Sequence, residues 1–226
     1  MAEQRIIPQG APEAFERLIE LMDTLRSEGG CPWDGKQTHH SLVRYLIEES
    51  YEVIEAIESQ EQVNYELLKE ELGDVLLQVL FHARIAGERS VEEGGFSIAD
   101  VVEGLNQKLE RRHPHVFGDS SAHSLSDQEV TAQWDELKKQ EKPERLSVFD
   151  GIPPHLPALA LTDKVISKAD KGQVSLDVAG VTADGGEESA CAVELFEMVQ
   201  RARAQGIDAE GALRRLMYAL IQASEK

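Results

Sequence analysis

Four carboxylates in this chain stand in two matched pairs, Glu49 with Glu52 and Glu71 with Asp74. Each pair is spaced i, i+3. On a helix that spacing brings both side chains to one side within a single turn. Four hard oxygen ligands on neighbouring helices suit Mg²⁺, and Mn²⁺ also fits such a set. A divalent ion held this way can bring phosphates to the carboxylates.

The element that must position the second pair is LLKEELGDVLLQVLFHARIA, residues 67–86. With Glu71 set at zero and about 100° per residue, apolar side chains cover most of the circumference. One narrow polar stripe remains, formed by Glu71, Asp74, Gln78 and His82. A helix apolar nearly all round is expected to be buried, and its acidic stripe with it. Two buried carboxylates a turn apart cannot both stay ionised without a cationic partner. The stripe is therefore either a solvent seam on a half-exposed helix or a site for a divalent cation.

The first pair falls on a helix expected over residues 41–59, with Ser41 as its N-cap. Glu49 lies about 60° round from Glu52 and nearest the apolar border. A short polar turn at residues 61–64 makes this helix and the next antiparallel neighbours. Two carboxylates from each can then meet across the seam. A di-iron bundle would need a Glu-x-x-His on each of two helices. The chain offers one, Glu110 to His113, where the histidine abuts Pro114 at a helix end.

Formal net charge is -19, from 42 acidic and 23 basic residues, which argues against nucleic acid or an anionic membrane as partner. A phosphate ligand is still allowed, because Mg²⁺ can bridge it to carboxylates. Cys31 and Cys191 form no disulfide framework and fit a reducing compartment. The sequence carries no signal-peptide pattern and no apolar run long enough to span a membrane, so a cytoplasmic location is expected.

Around this centre the pattern is helical throughout, with no convincing strand. A first helix begins near Pro12 and ends at Gly29-Gly30. The loop CPWDGKQTHHSL follows, and its Trp33 can either stack on a base or ring or plug a core edge. A fourth helix starts at Ser97 with Asp100 as a capping-box partner and ends in KLERRHPHVFGD. Lys108 and Arg112 stand four apart on one face there. They fit the helix macrodipole or a grip on phosphate oxygens. A fifth helix starts at Ser126 with Glu129 completing its box, and carries Trp134 and Lys138. Residues 146–157, within a stretch of four prolines, read as a linker between a domain at 1–145 and a segment at 158–226. That segment is expected to hold helices at 158–168, 189–204 and 208–223, with a mobile loop at 172–188.

An internal echo links the two parts. Leu76, Ala83, Arg84 and Gly87 recur as Leu195, Ala202, Arg203 and Gly206. Ala190 and Val193 stand where Glu71 and Asp74 would be, so a second copy has lost its acids.

CPWD with QTH, then EESYE, then EELGD, then KLERRHPHVFGD strongly resemble the MazG family of nucleoside triphosphate pyrophosphohydrolases, almost continuously over residues 15–140. The family's Glu-Glu-x-x-Glu and Glu-x-x-Asp fall on Glu48, Glu49, Glu52, Glu71 and Asp74. The resemblance implies an all-α antiparallel helix bundle, a homodimer or higher homo-oligomer, and Mg²⁺ at these acids. It implies hydrolysis of a nucleoside triphosphate to monophosphate and pyrophosphate. Glu49, Glu52, Glu71 and Asp74 are then the metal ligands, with Glu48 acting on the water. Lys108, Arg112 and Lys138 would contact phosphate, and His39 and Trp33 the base or sugar side. Many family members carry two such domains in tandem; here the second is shortened and degenerate. Two other readings compete: a bundle that binds or senses nucleotide without turnover, and an acidic structural bundle that binds nothing.

Overall fold

The computed structural model describes residues 10–58, 62–118, 125–142, 144, 146–182 and 185–224. Among these the chain is helical, with no strand. It divides into two compact units, Met1–His123 and Ser124–Lys226.

The first unit holds α1 (Ala11–Arg26), α2 (His39–Glu58), α3 (Tyr65–Ala86), α4 (Ile98–Arg112) and the single turn α5 (Pro114–Phe117). α2 and α3 make its most extensive helix contact, as the short turn between them requires. Asn64 caps α3 by accepting from the Leu67 backbone N–H, and its own N–H donates to the Ala56 carbonyl at 2.9 Å. α2 begins two residues earlier than expected. Thr38, not Ser41, sits at its entrance: the Ser41 N–H donates to Thr38 Oγ1, and the Thr38 N–H donates to Ser41 Oγ. Ser97 and Asp100 form the reciprocal capping box of α4 as read from the sequence. Met22, Leu42, Leu80 and Phe81 form the buried core, which ties α1, α2 and α3 together.

The expectation that α3 is buried on all sides is half correct. Glu71, Gln78, Leu80, Phe81, Ala83 and Ala86 are buried, but Leu72 is 52% exposed, Leu76 36% and Val79 39%. These three share a face at i, i+4, i+7. α1, α2 and α4 all contact α3 but leave this face open.

The second unit holds α6 (Asp127–Glu141), α7 (Ala158–Gly172), the short α8 (Val178–Val181), α9 (Glu187–Ala204) and α10 (Ala209–Ser224). Ser126 and Glu129 close the capping box at the start of α6. Residues 172–188, expected as a loop, carry α8, capped by Asp177 accepting from the Gly180 N–H. The proline-rich stretch read as a linker is anchored to α7, where Lys168 Nζ donates to the Asp150 carbonyl at 2.8 Å. The echo between the units extends to contacts. Arg84 on α3 pairs with Asp23 on α1 at 2.8 Å, and Arg203 on α9 pairs with Asp163 on α7 at 3.0 Å. Leu80 and Val199, at matching places in the echo, are the buried 2% and 1% positions of their helices.

Candidate metal centre and nucleotide site

Antiparallel packing of α2 on α3 brings Glu49, Glu52 and Glu71 together. One carboxylate oxygen from each lies within 4.8 Å of the others. Asp74 contributes its charge to the same cluster, acting on both Glu49 and Glu71. Glu71 is only 8% exposed. Burial pushes the Glu49 carboxyl up to about 7, helped by a hydrogen bond with Glu52 and by the charges of Asp74, Glu52 and Glu71. Burial also raises Glu71, followed by the Glu52 charge. Crowded carboxyls such as these resist ionising without a counter-charge. A divalent cation would supply that charge, and an all-oxygen donor set suits a hard ion.

Glu48 is exposed on α2, one residue round from the cluster. Lys108 and Arg112 lie on one face of α4, Lys108 exposed and Arg112 partly buried. Lys138 lies on α6 in the second unit, with its ammonium 5.9 Å from the Trp134 ring centroid.

Trp33 plugs the core edge only in part. Its ring packs edge-on against Tyr45 and Phe81, while 51% of the residue stays exposed. The loop that carries it is clamped by Arg26, which sequence reasoning missed. Its guanidinium donates to the Asp34 and Gln37 carbonyls and to Glu88, and lies 5.6 Å from the Phe81 ring centroid. The Arg26 side chain is 3% exposed. In the sequence it is only a basic residue in a helix's last turn, where the macrodipole accounts for it. Gly30 lets the chain turn into this loop, since a Cβ there would lie 2.3 Å from the Thr24 carbonyl oxygen.

His39 opens α2 and meets His82 on α3, with their Nδ1 atoms 2.8 Å apart. Burial and the His39 charge hold His82 below the usual imidazole range. His82 stood on the polar stripe in the sequence, but nothing there disclosed its partner.

Residues 37–117 match the family model described as "MazG nucleotide pyrophosphohydrolase domain". The chain is 43% identical to the nucleoside triphosphate pyrophosphohydrolase/pyrophosphatase MazG of Thermotoga maritima, over 94% of this chain and 84% of that protein. It is 42% identical to a nucleoside triphosphate pyrophosphohydrolase of Mycolicibacterium smegmatis, over 89% of this chain and 63% of the relative. A nucleoside triphosphate pyrophosphohydrolase of Escherichia coli is 44% identical over 67% of this chain and 55% of its own length. With a relative matched along most of both chains, and with the acids gathered where the motif lies, this protein belongs to the MazG family of nucleoside triphosphate pyrophosphohydrolases.

Proposed function

We propose that this chain hydrolyses nucleoside triphosphates to nucleoside monophosphate and pyrophosphate at the α2–α3 seam, as a nucleotide-pool housekeeping enzyme of the cytoplasm. The observation that carries this reading is the three-carboxylate cluster of Glu49, Glu52 and Glu71, with Asp74 beside it. Glu49, Glu52, Glu71 and Asp74 would hold Mg²⁺, or Mn²⁺ in its place. When bound, the ion supplies charge neutralisation for the phosphate oxygens. Glu48 orients the attacking water or takes its proton. Lys108 and Arg112 hold phosphate oxygens, while Trp33 and His39 line the base or sugar side.

The apolar faces left open on the two site-bearing helices support a homodimer. Leu72, Leu76 and Val79 on α3, and Val43, Leu46 and Ile47 on α2, are all exposed. A contiguous apolar surface beside a site marks an association surface. No described helix is long and apolar enough to cross a membrane.

Residues 158–226 are read as a degenerate second MazG-like segment without chemistry of its own. The paired Arg84–Asp23 and Arg203–Asp163 contacts support common descent, and Ala190 and Val193 offer no oxygen to a cation.

The test is incubation with a panel of ribo- and deoxyribonucleoside triphosphates and Mg²⁺, with products resolved. Monophosphate plus pyrophosphate is the expected outcome. Diphosphate plus phosphate, or no turnover, overturns it.

A further inference from the structure

The polar stripe of α3 runs past the acids. Two turns beyond Asp74 it reaches His82, about 12 Å further along the helix axis. Antiparallel packing sets His39, the first residue of α2, at the same end of the seam.

The geometry of this pair is specific. The Nδ1 atoms are 2.8 Å apart, the ring centroids 5.1 Å apart, and the planes 2° from parallel. Two rings joined through these nitrogens can separate their centroids by at most the N–N distance plus two ring radii. That limit is reached only when both nitrogens lie on the line between the centroids, and the observed separation is at the limit. The imidazoles are therefore coplanar and meet edge to edge. They form one flat heteroaromatic plate rather than a face-to-face stack.

The plate is held by one proton. One Nδ1 donates and the other accepts. His82 Nε2 is buried with no partner. An orphaned buried N–H is rarely tolerated, so that nitrogen is bare and His82 carries its proton on Nδ1. His39 then accepts at Nδ1 and carries its own proton on Nε2, on the exposed residue of the pair. Phe81, the residue before His82, carries the half-exposed Trp33 ring at 6.4 Å. An uncharged, flat surface lies at one end of the seam and a carboxylate cluster lies two turns away. A ligand with phosphates at one end and a planar ring at the other matches both.

We infer that the coplanar His39–His82 pair is the platform on which the nucleobase of the substrate stacks, with His39 Nε2 available as a hydrogen-bond donor to the nucleoside. This rests on the reading of Glu49, Glu52, Glu71 and Asp74 as the phosphate and metal end. It adds His82 to the site and makes the two histidines one unit.

The experiment compares dissociation constants of two probes for the full chain with Mg²⁺: a purine nucleoside triphosphate with a non-hydrolysable α,β-methylene bridge, and inorganic tripolyphosphate. The second engages only the metal and phosphate end. Stacking of one base on an aromatic surface predicts that wild type binds the nucleotide about ten- to a hundred-fold tighter. His82→Leu removes the ring and its hydrogen bond, so the gap should close while tripolyphosphate affinity stays within about twofold. Where His82→Leu does not fold, His39→Leu, at an exposed position, makes the same comparison. A gap that persists in both variants, or that wild type lacks, overturns the platform. So does an equal loss for both probes, which marks a merely structural pair. Failure of the hydrolytic reading is seen separately, as absence of pyrophosphate release by wild type, and leaves the affinity gap as the measure of the plate.

Discussion

Glu71 on α3 and Glu52 on α2 bring carboxylate oxygens within 4.8 Å of each other across the seam between the helices. Burial and the nearby Glu52 charge both raise the Glu71 carboxyl above its ordinary range. Glu71→Gln keeps the shape, and its amide can donate to Glu52 without adding a charge. The variant should fold, with metal-free thermal stability equal to or above wild type, because a crowded charge is gone. Mg²⁺-dependent turnover should be abolished. Asp74→Asn should behave alike. Melting curves read together with pyrophosphate release decide this, and wild-type turnover in both variants would sink the assignment.

The same crowding sets a pH dependence. Glu49 titrates at about 7 in the fold against an ordinary 4.5, and Glu71 is shifted in the same direction. A raised carboxyl pKa means that the folded state holds its proton more tightly than the unfolded one. That stabilisation is fully present below pH 4.5 and is lost as pH rises through 7. Metal-free protein should therefore lose melting temperature across this window. Asp100 and Glu129, held below their ordinary values by their capping bonds, work in the opposite sense but at lower pH. Mg²⁺ competes with the same protons, so its affinity should rise through the window and its binding should release protons. Thermal scans with chelator and with Mg²⁺, between pH 5 and 8, should diverge upward. Parallel curves would refute the linkage.

Lys108→Ala and Arg112→Ala should weaken nucleotide binding while leaving Mg²⁺ binding unchanged. The two stand about 40° apart on one face of α4, a spacing that lets them reach one triphosphate. Loss of a charge-assisted contact costs about 1.5–3 kcal/mol. In affinity that is roughly ten- to a hundred-fold. Calorimetry that finds nucleotide affinity intact in both variants leaves only the macrodipole to explain these residues.

The acids and the helices that carry them were legible because both write a local pattern. The i, i+3 pairs, the stripe on α3 and the boxes at Ser97 and Ser126 each fit within a turn or two. Arg26 and the His39–His82 pair were not legible, since their partners come from other elements. Arg26 reaches Glu88 across 62 residues, and His39 reaches His82 across 43. Sequence periodicity also overstated the burial of α3. It reports which faces are apolar, and not whether enough chain is present to cover them. The start of α2 shifted for a similar reason: Thr38 and Ser41 both have capping side chains, and only the realised bonds choose between them.

The second unit offers the sharpest contrast between a contact and a site. Arg203 repeats the position of Arg84, and its partners Asp163 and Asp170 hold its guanidinium above its ordinary pKa. The buried residues of α7 and α9 are Ile166, Ala169 and Val199, and Ala190 and Val193 stand where a carboxylate pair would be. If this unit turned over substrate, Glu71→Gln would leave a residual activity that survives saturating Mg²⁺. None is expected. Arg203→Met should instead cost stability alone. A partly exposed ion pair of this kind contributes roughly 0.2–1 kcal/mol, and its loss should be smaller still at high salt. Turnover per chain and KM should match wild type at a temperature where both are folded. Denaturation midpoints and steady-state kinetics on the same preparation test both halves. A fall in turnover with no fall in stability would give the second unit a part in catalysis that its side chains do not otherwise display.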